Sequence, residues 1–227
     1  MSKTNFKYRV RFAKADEARF IGHLDLQSLF QKAFKRASLP VAYSEGFNPH
    51  QILSFAVPLP LGTAGLNEIA EVYMTTQVAP ETLLESLSRQ MPNGIAIQQV
   101  CEIASTGRGA AALVSSATYH IILSDCALHF TRLESAVKEV LNSPEIMVRK
   151  KTKKGSGVVD IRSDILDLTS DANADKFTIT ATLSTGSARN LKPSLLMSHI
   201  LDTLGIDAES IQISYERTTL ILSEGIA

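Results

Sequence analysis

Phe6, Tyr8, Val10 and Phe12 alternate with Lys7, Arg9 and Arg11, the two-residue period of a half-buried strand. Leu26, Leu29, Phe30, Ala33, Phe34 and Ala37 then recur at helical spacing, and Pro40 forbids continuation. Residues 52–57 and 68–76 predict two strands, the second with Ala70, Val72 and Met74 inward. Pro80 opens a short helix on Leu83, Leu84 and Leu87, Pro92 stops it, and residues 95–103 close the unit as a strand. A Gly-, Ala- and Ser-rich stretch follows at residues 105–117, and then the order recurs. Tyr119, Ile121 and Leu123 predict a strand, and Leu133, Val137, Val140 and Leu141 a helix. Residues 145–150 and 157–168 predict strands around a basic turn. A strand on Phe177, Ile179, Ala181 and Leu183, a helix with Pro193 near its start and a closing strand or hairpin at 211–222 complete the second half. The expectation is α+β: two ferredoxin-like (βαββαβ) units in tandem, residues 1–106 and 118–227, the second with an extra strand, joined by a linker at 107–117.

Between the first helix and the strand at 52–57 lies Tyr43-Ser-Glu-Gly-Phe-Asn-Pro-His50. Gly46 can take backbone angles closed to other residues, and Pro49 drives Asn48 out of the helical region. A loop that places Phe47 and His50 where small polar residues are usual reads either as a binding loop or as a tightly packed turn plugged by Phe47.

The 227 residues carry 44% hydrophobic and 20% charged residues with zero formal net charge, an ordinary globular balance. The charge is unevenly placed. Between residues 3 and 36 bases far outnumber acids, and Arg149, Lys150, Lys151, Lys153 and Lys154 form a second cluster. Such asymmetry favours a polyanionic partner. Two isolated cysteines, Cys101 and Cys126, fit a reducing compartment. With no apolar run long enough to span a membrane and no apolar signal core, a cytoplasmic location without membrane contact is expected.

Gly22-His-Leu-Asp-Leu26, Phe34-Lys-Arg-Ala37, Leu39-Pro40, Gly46-Phe-Asn-Pro-His50, Ser54-Phe55 and Pro58-Leu-Pro-Leu-Gly62 together resemble the radical-SAM-linked (radical-SAM-associated) family. The resemblance is specific over residues 6–75. It continues more weakly through Lys150-Lys-Thr-Lys-Lys154, Val159-Asp-Ile-Arg162 and the helix at Pro193. It implies a radical-SAM protein as partner and a setting in RNA or ribosome maturation. In that family a proline and a basic residue usually follow the loop histidine; here Gln51 and Ile52 stand there, one positive charge fewer.

A radical-SAM cluster needs three neighbouring thiolates, which Cys101 and Cys126 cannot supply, so no cofactor and no catalytic residue is assigned to this chain. Cys126 and His129 have ligand-like spacing but no second pair beside them, so no metal site is assigned either. A histidine, a hydroxyl and a lysine on one surface could cleave RNA without metal, with His23 or His50 as the base; equally, His23 caps a helix and His50 satisfies a turn. The candidate RNA-binding set is Arg9, Arg11, Arg19, His23, Lys32, Arg36, Ser44, Phe47, Asn48 and His50, with Lys150, Lys151, Lys153 and Lys154 as a second patch. Arg9 or Arg11 paired with Glu71 across the sheet is the competing expectation. The leading functional expectation is a non-catalytic recognition module presenting RNA or a ribosomal component to a radical-SAM enzyme. A metal-independent RNA endonuclease, and a scaffold docking through Pro58-Leu-Pro-Leu61, are the alternatives.

Overall fold

The computed structural model describes residues 5–124, 130–152, 155–173, 176–186 and 189–223. The chain divides into two compact units, residues 1–114 with 222–227, and 115–221.

In the first unit β1 (Phe6–Lys14) is the central strand, antiparallel to both β3 (Ala64–Met74) and β4 (Ile95–Ile103). The short β2 (Leu53–Phe55) pairs antiparallel with β3, so the order is β4-β1-β3-β2. The predicted strand at 52–57 shrinks to these three residues. Two helices, α1 (His23–Arg36) and α2 (Pro80–Ser88), bury their apolar stripes with one face of β1, β3 and β4. Tyr8, Val10 and Phe12 from β1, Phe30, Ala33 and Phe34 from α1, and Val72 and Met74 from β3 lose nearly all contact with water. Phe12, Phe30 and Phe55 meet edge to face at centroid distances of 5.0, 5.3 and 5.8 Å. The Tyr8 hydroxyl donates to the Val78 carbonyl and accepts from the Val78 amide, both at 2.8 Å, fixing the entry to α2.

The stretch at 105–117 is not an open linker. Residues 104–108 are exposed, but Ala110–Leu113 form a single turn of helix, α3, that packs on β2 and β3, and β5 (Val114–Ser124) begins at once. Ala110, Leu113, Val114 and Ala117 are buried: small residues permit close approach here rather than flexibility.

In the second unit β5 lies between β9 (Lys176–Ser184) and β10 (Gln212–Leu222), and β8 (Ile165–Asn173) flanks β9, giving the order β10-β5-β9-β8. Its helices are α4 (Phe130–Asn142) and α5 (Pro193–Leu204), the latter closed by Gly205 in the left-handed region. The predicted strand at 157–168 is broken in two. β6 (Met147–Thr152) and β7 (Gly155–Asp160) form a separate two-stranded sheet, and the chain turns before β8. Asp160 and Arg162 make that corner. The Asp160 carboxylate accepts from the amides of Ile146 and Arg162 at 2.8 and 2.9 Å, while the Arg162 guanidinium donates to the carbonyls of Leu141, Ser143 and Ile165. Those two amides hold the Asp160 carboxyl below its ordinary range.

Candidate functional site

The loop after α1 is stitched at its base and open at its tip. Val41 bridges Met74, the Ala42 amide donates to the Tyr73 carbonyl at 2.7 Å, and Tyr43 bridges Gln51. Inside that stem Ser44 braces His50 three times. Its amide donates to the His50 carbonyl at 2.8 Å, its hydroxyl accepts from the His50 amide at 3.1 Å, and the hydroxyl lies 2.9 Å from His50 Nδ1. Gly46, at φ 117°, turns the tip where other residues would be strained. The result is an aromatic side chain in water: Phe47 is 106% exposed, and Asn48 and His50 are exposed beside it in sequence. Phe47 is therefore no plug. Gln51 is buried and donates to the Gln31 carbonyl of α1 at 3.2 Å, tying the loop to the helix.

The outward side of α1 carries the second feature. Asp25, Ser28, Leu29, Lys32 and Arg36 fall at helical spacing and form one wall of a groove of about 490 Å³. The other wall is the turn from Arg89 to Pro92, between α2 and β4. Arg36 spans the two, donating from Nε to Gln90 Oε1 at 3.2 Å and from Nη2 to the Gln90 carbonyl at 2.8 Å. Arg89 holds Glu85 at 3.3 Å with both side chains mostly in water, a pair of little energetic weight. Lys32 and Lys35 are exposed.

The basic face of β1 is corrected by the structure. Arg9 and Lys7 do not point into solvent; both are buried, at 5% and 4% exposure, against Glu71. Lys7 Nζ lies 2.8 Å from Glu71 Oε2; Arg9 meets Oε1 through Nη2 at 2.7 Å and Nε at 3.2 Å. The Ala110 amide adds a fourth bond, to Oε2 at 3.1 Å. That bond sets the start of α3 against Glu71 on this face. Arg11 is half-buried and donates to Asn67. Arg19 lies half-buried with its guanidinium over the Phe20 ring at 4.9 Å, and its carbonyl takes bonds from Lys14 Nζ and the Gly62 amide. His23 is the first residue of α1, with Gly22 at the N-cap and no side-chain cap; its ring packs edge-on to Phe55 at 5.7 Å. Of the candidate set, Lys32, Arg36, Ser44, Phe47, Asn48 and His50 lie on the loop and the outer side of α1; Arg9, Arg11, Arg19 and His23 are engaged elsewhere in the unit. Lys150 and Lys151 fall on β6, but their side chains, together with Lys153, Lys154, Cys126 and His129, lie outside the described residues. Among the described residues no cluster of His, Cys, Asp and Glu could hold a metal.

Burial alone would push the Glu71 carboxyl up, but hydrogen bonds from Lys7, Arg9 and the Ala110 amide outweigh it and hold the carboxyl below its ordinary value. A depressed folded-state pKa contributes stability that is present at neutral pH and lost as pH falls through the folded value. Denaturant midpoints measured from pH 7 downward are expected to fall below about pH 4, and the fall should shrink in Glu71→Gln. An equal fall in both proteins would mean that another carboxylate carries it.

Residues 7–193 match one protein family, described as "Uncharacterized protein conserved in bacteria (DUF2344)". The chain belongs to the DUF2344 family. The span matched to DUF2344 contains β1 from its second residue, the Phe47 loop, both walls of the groove and the Asp160–Arg162 corner. No curated protein matches the chain. A crystal structure of a Cbf5-Nop10-Gar1 complex is similar at TM-score 0.51 and 12% identity, over 94% of this chain and 48% of that one. The chain thus spans about half the length of that neighbour, and the likeness is one of fold. A crystal structure of an unknown protein from Galdieria sulphuraria aligns over 95% of this chain and 100% of that one, with TM-score 0.27 and 13% identity. Among the described residues no helix is long and apolar enough to cross a membrane.

Proposed function

We propose that this chain is a recognition module that holds single-stranded RNA, alone or within a ribosomal component, for a radical-SAM partner enzyme. One observation carries the RNA reading: Phe47 stands fully in water at the tip of a braced loop, and that loop is anchored to α1, whose outer side is cationic. An exposed apolar ring on a rigid loop has no role in the core, whereas stacking under an unpaired base uses its whole face. Lys32, Lys35 and Arg36 would neutralise phosphates of the same strand. His23 and His50 fit this reading better than cleavage, because one packs on Phe55 and the other braces its own loop. The radical-SAM partner rests on the motif resemblance alone. The antiparallel order β4-β1-β3-β2, and its counterpart β10-β5-β9-β8, support the finer reading of two ferredoxin-like units, with the β6–β7 hairpin inserted in the second.

Fluorescence anisotropy with single-stranded and fully paired RNA, titrated over salt, tests the proposal. Single strands are expected to bind more tightly. Three neutralised phosphates give a slope of log K against log salt of about −2. No binding at low salt, or binding indifferent to salt, rejects RNA as the target. Co-purification of a radical-SAM protein that survives nuclease treatment, without RNA binding, would favour the scaffold reading instead.

A further inference from the structure

The groove between α1 and the Arg89–Pro92 turn has a charge distribution that an internal stretch of RNA does not require. Three cations, Lys32, Arg36 and Arg89, line it, with Asp25 the only carboxylate among the lining residues. Asp25 lies near the start of α1, and Lys32 and Arg36 lie two and three turns further on, so an anion is excluded from one end and drawn to the other. Gln90 holds two of the Arg36 donor nitrogens and so fixes the plane of its guanidinium. Among the described residues the Arg89 side chain is tied only to the exposed Glu85, a bond that a phosphate could displace at little cost. Leu29, Met91 and Pro92 supply apolar surface in the same groove. Its volume of about 490 Å³ lies within the ~300–1,000 Å³ of small-ligand sites, which leaves room for a single nucleotide.

We propose that this groove is a nucleotide site for a phosphomonoester: a nucleoside 5′-monophosphate, either free or as the 5′ end of an RNA strand. A phosphomonoester carries about −1.5 to −2 charge at pH 7, against a single negative charge on each internal phosphodiester; once the phosphate displaces Glu85 from Arg89, three cations facing the lining Asp25 match the larger value. The phosphate sits at the Lys32–Arg36–Arg89 end, and the base lies on Leu29, Met91 and Pro92. The 5′-terminal form deepens the recognition reading above and rests on it; the free form stands independently.

Calorimetric titration of the full chain at low salt with AMP, UMP, adenosine and inorganic phosphate tests the site. A second series compares one RNA oligonucleotide with a 5′-phosphate or a 5′-hydroxyl. Both nucleotides should bind, adenosine and inorganic phosphate each at least tenfold more weakly, and Arg89→Glu and Lys32→Glu should each weaken AMP binding tenfold or more. These side chains are exposed, so circular dichroism should show both variants folded. Phe47→Ala should leave AMP binding unchanged. A 5′-phosphate preference that disappears in Arg89→Glu assigns the terminal form, and AMP binding without that preference assigns the free form. Absence of saturable AMP and UMP binding, or AMP binding unaffected by Arg89→Glu, overturns the site. If RNA still binds and needs Phe47 in that case, the recognition module stands without the groove; if AMP binds and RNA does not, the groove stands without the module.

Discussion

Replacing Glu71 with alanine is expected to lower the unfolding free energy by about 3–5 kcal/mol, the usual result of leaving a buried charge without its partner. Here two cations lose it together. Lys7 and Arg9 are each about 95% buried, and their contacts to the carboxylate are 2.8 and 2.7 Å long. The Ala110 amide loses its acceptor as well. At roughly 2–4 °C per kcal/mol for a chain of this size, the melting temperature should fall by about 10 °C. The triple replacement Lys7→Met, Arg9→Met, Glu71→Leu removes all three charges at once and should recover most of the loss, because an apolar substitute of similar volume needs no ion pairing. Scanning calorimetry on the three proteins decides it. A fall under 2 °C for Glu71→Ala would show that the cluster is dispensable.

The second large effect is on binding rather than folding. Phe47→Ala should leave the melting temperature within about a degree, since mutations at exposed sites away from packing are usually near neutral. The same change should weaken single-stranded RNA binding about tenfold, in line with ~1–3 kcal/mol per stacked base. Phe47→Tyr, which keeps the ring, should bind like the unmodified chain. Equal affinity for the alanine variant and the unmodified protein would remove Phe47 from the interface and with it the main support for RNA recognition.

Most of the first unit could be read before its structure was known. The alternation from Phe6 to Phe12 and the helical spacing from Leu26 to Phe34 each report one buried face, and one buried face is a local property of the chain. The loop was legible for the same reason: Gly46 admits a positive φ closed to other residues and Pro49 restricts the residue before it, both local effects of residue type. What failed were inferences about what covers the other face. Lys7 and Arg9 look like a solvated stripe because nothing near them in sequence announces that both will be buried on one carboxylate that also holds the Ala110 amide, although Glu71 as a partner for Arg9 was foreseeable across the sheet. The break in the strand predicted at 157–168 could not be read from periodicity, since it depends on Arg162 finding three carbonyls, two of them about twenty residues earlier. The groove was half legible. Lys32 and Arg36 are visible as a stripe on one helix, but Arg89 joins them only because the turn before β4 runs alongside.

The path of the chain between its two units has a practical result. It leaves the first unit at Val114 and returns to it at Leu222, where the Ser223 amide donates to the Leu113 carbonyl at 2.7 Å. Cutting the gene at its midpoint therefore does not yield a whole first unit, because one of its hydrogen-bond donors is supplied by codons more than a hundred positions downstream.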